Sequence, residues 1–153
     1  MNIPRALGLA AALTLLSASA FAAPCTDPHS IKSVRNSSPP GHFEYVVFKV
    51  NGSPFLPFVA SPGTPPFLAD GSGLPIAVAG SKFENIRFTG VVWTCEIAEH
   101  FALPKTAIKD VKKLGQFEGV VEFVVGIRSR SRFISAIATP SGTGSVVTMK
   151  FRK

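Results

Sequence analysis

Gly119-Val-Val-Glu-Phe-Val-Val-Gly-Ile127 is the stretch that decides the fold. Val121, Phe123, Val125 and Ile127 fall on one side of an extended chain and Glu122 on the other. That is the two-residue period of a strand with one buried face. Its β-branched and aromatic residues are the ones that pack well on a pleated surface.

Working outward, Glu44-Tyr-Val-Val-Phe-Lys-Val50 repeats the pattern, with Val46, Phe48 and Val50 on one face and Tyr45, Val47 and Lys49 on the other. Asn51-Gly52 follows as a turn signal and predicts a hairpin to Phe55–Val59, a partner that Pro54 and Pro57 push toward a sheet edge. Ser61–Pro75 reads as a long loop and Ile76–Ala79 as a short apolar run. Phe83–Phe88 alternates, and Gly90–Ile97 is apolar around Trp93 and Cys95. After Pro104, Ile108, Val111 and Leu114 recur every three residues and Gly115 stands at a capping position. A short helix and a strand both fit that piece. Phe133–Ala138 and Ser145–Lys153 complete the set, joined by Pro140-Ser-Gly-Thr-Gly-Ser145. About seven or eight short strands, separated by many of the 13 Pro and 13 Gly, predict an all-β protein, a two-sheet β-sandwich with at most one short helix.

The first 22 residues have a different character. Arg5 precedes an apolar run from Ala6 to Leu16, and Ala20-Phe21-Ala22 has the A-x-A form of a cleavage site. This is the pattern of a secretory signal peptide. The run is about 11 residues long, whereas a membrane span needs roughly 20, and Pro24 and Pro28 follow at once. Residues 23–153 then form a single mature domain with no transmembrane segment. A lipid anchor on Cys25 is the alternative fate of the N-terminus, and Pro24, a residue ill suited to precede a lipidated cysteine, argues against it.

Cys25 and Cys95 are the only cysteines, and in an oxidising compartment an even pair predicts one disulfide. They lack the C-x-x-C spacing of a redox pair. Removing Arg5 with the leader lowers the net charge from +7 to +6. The bases are unevenly placed: residues 23–104 hold 5 bases and 6 acids, residues 105–153 hold 10 and 3. A basic half steers anionic partners. Export turns that bias away from nucleic acid and toward an anionic cell-wall polymer, with Arg128, Arg130 and Arg132 as its densest cluster.

Catalytic patterns are sparse. His29, His42 and His100 are the only histidines, and no serine sits in a G-x-S-x-G elbow. Glu96, Glu99 and His100 are close in sequence but form no H-E-x-x-H, so no metal or cofactor is expected. Wall-glycan cleavage needs two carboxylates across a cleft. Glu118 and Glu122, opposed by Glu84 or Glu44, are the candidates, and Glu118 stands out because it opens the strongest strand. Its structural alternative is to accept hydrogen bonds from a turn or to pair with an arginine. Phe55, Phe58 and Phe67 lie among prolines, which pre-order a loop for partner capture, although a phenylalanine bias also fits core packing.

The chain resembles the AMIN-like domains of exported bacterial proteins. Four blocks carry the resemblance: Ser33-Val-Arg35 with His42-Phe-Glu-Tyr-Val-Val-Phe48; Asp70-Gly-Ser-Gly73-Leu-Pro with Gly80; Gly115–Ile127; and Arg132-Phe-Ile with Val146-Val147. Two places depart from the family pattern. Tyr45 stands where an arginine usually follows the acid, and Ser145 and Thr148-Met149 replace an arginine and an aspartate around the closing strand. The resemblance implies two packed β-sheets and a role in cell-envelope localisation, commonly through the wall. The expectation is therefore a non-catalytic, exported, periplasmic or secreted domain that binds or scaffolds the envelope, with peptidoglycan as a candidate ligand. Arg128, Arg130, Arg132, Glu118 and His42 are its candidate binding residues. The alternative is a protein-binding module or inhibitor that uses Phe55, Phe58 and Phe67 against an envelope protein. An enzyme acting on wall glycans is a third reading.

Overall fold

The computed structural model describes residues 24–52, 55–102 and 105–153. The predicted leader and the parts assigned to Pro54 and Pro104 lie outside these residues. Among the described residues there are eleven strands and no helix: β1 (Ile31–Ser37), β2 (Phe43–Val50), β3 (Phe58–Pro62), β4 (Phe67–Leu68), β5 (Pro75–Ile76), β6 (Lys82–Thr89), β7 (Ala98–His100), β8 (Ile108–Phe117), β9 (Val120–Ile127), β10 (Arg132–Ser141) and β11 (Gly144–Arg152). No helix there is long and apolar enough to cross a membrane.

Two sheets stack face to face. One has the order β10-β11-β2-β1-β7, the other β3-β6-β9-β8, and β4 with β5 forms a small third ladder. The sandwich expected from the alternation is present. Val121, Phe123, Val125 and Ile127 of β9 are all buried, as are Val46, Phe48 and Val50 of β2 and Val147, Met149 and Phe151 of β11. The Phe48 ring joins the sheets, with its centroid 5.1 Å from Phe88 of β6 and 5.2 Å from Phe123 of β9. Both pairs are tilted or edge-on, the arrangement that aromatic quadrupoles favour.

Two local expectations are corrected, and one open alternative is resolved. Asn51-Gly52 does not turn β2 into a hairpin with Phe55–Val59; β3 pairs with β6, and β2 lies between β1 and β11. Asn51 instead ties down the N-terminal segment, donating from its side chain to the Cys25 carbonyl at 2.7 Å and to Ser30 Oγ at 2.9 Å. The apolar run around Trp93, whose residues Val91–Cys95 read as strand, is loop: the Val91 and Val92 N–H groups donate to the Gly119 and His29 carbonyls, Glu96 bridges to Pro24, and Cys95 enters the disulfide. The Ile108–Leu114 piece is strand, not helix. A β-bulge between Ile108 and Asp110 shifts the alternation, so Ile108 and Val111, three apart, both face the core. The same device hid β1: a register shift between Ile31 and Ser33 puts Ile31 and Val34 on one face.

The stretch read as a loop, Ser61–Pro75, includes the end of β3 and, with residues up to Gly80, packs over the outside of the four-stranded sheet. Phe67 meets Phe83 with centroids 5.0 Å apart. The Asp70 N–H donates to the Leu114 carbonyl at 2.9 Å. Close approach demands glycine beneath this cover: a Cβ on Gly126 would collide with the Ala79 carbonyl, and one on Gly115 with the Asp70 carboxylate. Among the described residues, none forms such a cover over the outside of the five-stranded sheet.

Cys25 and Cys95 form the expected disulfide, which spans 70 positions and closes residues of 1% and 8% exposure. This settles the fate of Cys25 that the sequence left between disulfide and lipid anchor. Gln116 of β8 supports the bridge from beneath, its side-chain N–H donating to the Trp93 carbonyl at 2.6 Å and to the Cys95 carbonyl.

Candidate functional site

The N-terminal half of β2 runs toward one end of the sandwich, and the alternation that buries Val46 and Phe48 also turns Glu44 inward. Glu44 is fully buried. Its carboxylate accepts N–H donations from Thr106, Ala107 and Ile108, each at 2.8 Å, and the Ser38 hydroxyl at 3.0 Å. Burial alone would raise its pKa. The donations from Ile108, Ala107, Ser38 and Thr106 outweigh that and hold the carboxyl below its usual range. Glu44 thus pins the entry of β8 to β2 and locks the two sheets together at this end.

The same end collects the bases. The β9–β10 connection carries Arg128, Arg130 and Arg132, all exposed. The Arg128 N–H donates to the Ala107 carbonyl at 2.9 Å, which sets this connection beside the Glu44 cradle. Lys82, at the start of β6, pairs with Ile127 and donates from Nζ to the Ser131 carbonyl at 3.3 Å. Arg152 pairs with both Arg132 and Phe43. Lys105 and Lys109 flank the start of β8. His42 is exposed at this end, its carbonyl accepting from the Lys153 N–H at 2.9 Å.

Neither of the acids placed here is free to neutralise these bases. Glu44 is buried in its cradle. Asp110 accepts from the Ala79 and Val111 N–H groups and pairs with Lys112 at 3.8 Å.

The structure separates the remaining sequence candidates from that cluster. Glu118 lies at the opposite end of β9, roughly 30 Å from Arg128 by strand rise. It is the first residue of the two-residue turn between β8 and β9, with φ of 46° at Glu118 and 78° at Gly119. That is a type I′ hairpin turn, which requires both residues in the left-handed region. The conspicuous position of Glu118 therefore has a backbone cause.

A shallow groove of about 370 Å³ beside this turn is lined by Asp70, Arg87, Phe117, Glu118 and Glu122. Burial raises the Glu122 pKa against the pull of Arg87, Asp70 raises it further, and the Asn85 side chain donates to it at 3.2 Å. Burial alone raises Glu84. Among the described residues, no group of three or more His, Cys, Asp or Glu is placed to hold a metal ion. The three phenylalanines do not form one surface: Phe55 is 46% exposed, Phe58 packs on Phe88 at 5.9 Å, and Phe67 is 6% exposed under the cover.

Sequence reasoning offered Glu44 only as a carboxylate that could oppose Glu118 and Glu122, and missed its role as the buried acceptor for the start of β8. Its parity with Val46, Phe48 and Val50 was the available signal, because alternation carries an acid inward as readily as a valine. The lysines that flank the arginine loop were missed because they are far apart in sequence and meet only through sheet register.

Fold and charge together define a disulfide-stapled β-sandwich with one basic end. The model of the AMIN-like domain matches residues 29–147, and the chain belongs to that family. Searches of curated proteins and of solved structures return no match. All four blocks of the resemblance fall on framework: β1 with β2, the outer cover with Gly80, the β8–β9 hairpin, and β10 with β11. The acid of the first block is Glu44, and with Tyr45 in place of an arginine its partners are three backbone N–H groups and one hydroxyl.

Proposed function

We propose that this is a non-catalytic binding domain of the cell envelope that holds an anionic wall polymer, peptidoglycan first among them, at its basic end. One observation carries the reading. Exposed bases from the ends of β6 and β11 and from the arginine loop converge there beside the half-buried Lys105 and Lys109, while Glu44 and Asp110 are held by backbone N–H groups. Such an arrangement leaves an uncompensated positive field for a polyanion. Membership in the AMIN-like family supports envelope association, and the buried disulfide fits an oxidising, extracytoplasmic compartment.

Retention on purified sacculi tests this. Arg128→Ala, Arg130→Ala and Arg132→Ala together lose most retention while the melting temperature stays put, because all three side chains are exposed. The retention of native protein weakens steeply as salt rises. Equal retention by the triple variant sinks the assignment of this end.

A further inference from the structure

A second polar cavity, of about 210 Å³, opens at the opposite end of the five-stranded sheet, between β1, β2 and the β10–β11 hairpin. Lys32, Lys49, Ser141, Thr143 and Ser145 are among its lining residues. Lys32 and Lys49 are exposed, and among the described residues neither is in an ion pair. Ser145 is 3% exposed and turned inward with Val147 and Met149, and among the described residues its hydroxyl has no hydrogen-bond partner. The donors open to this cavity are the Lys32 and Lys49 ammonium groups and the exposed hydroxyls of Ser141 and Thr143. Ammonium charges and hydroxyl donors are the complement of an oxyanion. The volume equals about seven waters at ~30 Å³ each, enough for one acidic group and its nearest neighbour atoms.

The surface between this cavity and the arginine end is also one-signed. The five strands of the sheet contain two acids, and neither faces outward: Glu44 is buried between the sheets, and Glu99 reaches across to Lys113 at 4.0 Å. Register sets the outward residues in rows. Arg152 lies beside Phe43, Lys150 beside Tyr45, Arg35 beside Val47, and Lys49 beside Val146. The Lys150 ammonium sits 3.8 Å from the Phe43 ring centroid. Cations therefore step along the bare face over the eight residues of β2, a span of about 27 Å. The other sheet is covered and carries Asp70 and Glu122.

We propose that Lys32, Lys49 and the β10–β11 hairpin form a second anion site, which takes an oxyanion group of an acidic polysaccharide lying along this face. The location is independent of the function proposed above, while the polymeric ligand rests on that reading. The half-buried rings of Phe43 and Tyr45, interleaved with Arg35, Lys150 and Arg152, suit a chain of sugar rings that carries acidic groups.

Chemical-shift titration of the labelled protein tests the inference, with inorganic phosphate, polygalacturonate, neutral dextran and anionic vesicles as probes. Phosphate is expected to shift the amides of Ser141–Val146, Lys32 and Lys49. Polygalacturonate shifts the same amides and those of Arg35 and Lys150 at lower concentration, and dextran and vesicles shift none. Lys32→Ala with Lys49→Ala removes the hairpin response, weakens polygalacturonate at least tenfold, and keeps the melting temperature and the shifts at Arg128–Arg132.

Hairpin shifts that persist in the double variant overturn the site. Loss of the phosphate response with polygalacturonate affinity unchanged overturns the polymer. Stronger binding to vesicles than to polygalacturonate overturns the glycan in favour of a membrane. Failure of the arginine end is read separately, from sacculus retention by the arginine variant.

Discussion

Glu44 shows how one side chain can hold two sheets in register. Its carboxylate replaces water for three consecutive N–H groups that the start of β8 leaves without a ladder partner. Because the folded pKa is depressed, this contribution is fully present above the unfolded value near 4.5 and is lost as pH falls through the lower, folded one. Glu44→Gln is expected to cost roughly 3 kcal/mol at pH 7, since charge-assisted bonds are lost and a buried donor faces donors. Urea unfolding at pH 7 and pH 3 checks the sign: the gap between native protein and variant must narrow in acid. Glu84 and Glu122, whose raised pKa values act oppositely, are common to both proteins and cancel in the difference. A gap that is constant with pH contradicts the ionised cradle. Glu44 was half legible in the sequence. Alternation gave its direction, but nothing local announces that residues 106–108, more than sixty positions away, supply its donors.

Elements with an uninterrupted two-residue period were legible, and those with bulges were not. β2 and β11 follow the strict pattern, and their buried faces match it residue for residue; β9 keeps the inward set, while the cover also buries Val124 and Gly126 on its other face. β1 and β8 each contain a register shift that converts a spacing of two into three, the interval that otherwise marks a helix. Of the β8–β9 hairpin only β9 was legible as a strand, and the turn was not, because Glu-Gly is a weak signal beside Asn-Gly. The left-handed conformation at Glu118 costs a residue of its shape about 1 kcal/mol, and Glu118→Asn relieves it. The expected gain is roughly 0.5–1 kcal/mol, seen as a higher melting temperature with sacculus retention unchanged. A lower melting temperature would mean that the carboxylate itself stabilises the turn. The long stretch after β3 read as a loop because its purpose is coverage. It follows the surface of a sheet, through contacts at Gly115 and Gly126 that no periodicity records.

At the scale of the whole molecule, the sandwich has two unlike exteriors. One sheet is roofed by its own chain and bears acids; the other is bare and bears only bases. Composition revealed the excess of charge in the C-terminal half, yet the convergence at one end depends on which strand termini meet, and that is a property of topology. The staple between Cys25 and Cys95 also acts at this scale. In the chain-entropy model, a loop of this length contributes roughly 4 kcal/mol. Cys25→Ser with Cys95→Ser should lower unfolding free energy by about that amount and leave retention on sacculi at low temperature intact. A loss below 1 kcal/mol in denaturant titration would mean that the N-terminal segment is already held by Asn51 and the Glu96 bridge.

The staple also limits how far the protein can be stretched. When a pull is applied between Pro24 and the anchored C-terminal half, force passes from Cys25 straight to Cys95. The chain between them, a sequence separation of 70 and about 240 Å at full extension, never enters the line of tension. Most of the cover, the β6 strand and the greater part of the bare sheet's centre are therefore shielded. Under such a pull the domain lengthens only by peeling strands from β7 onward, and β9, an inner strand of its sheet, lies between two neighbours that must release it first.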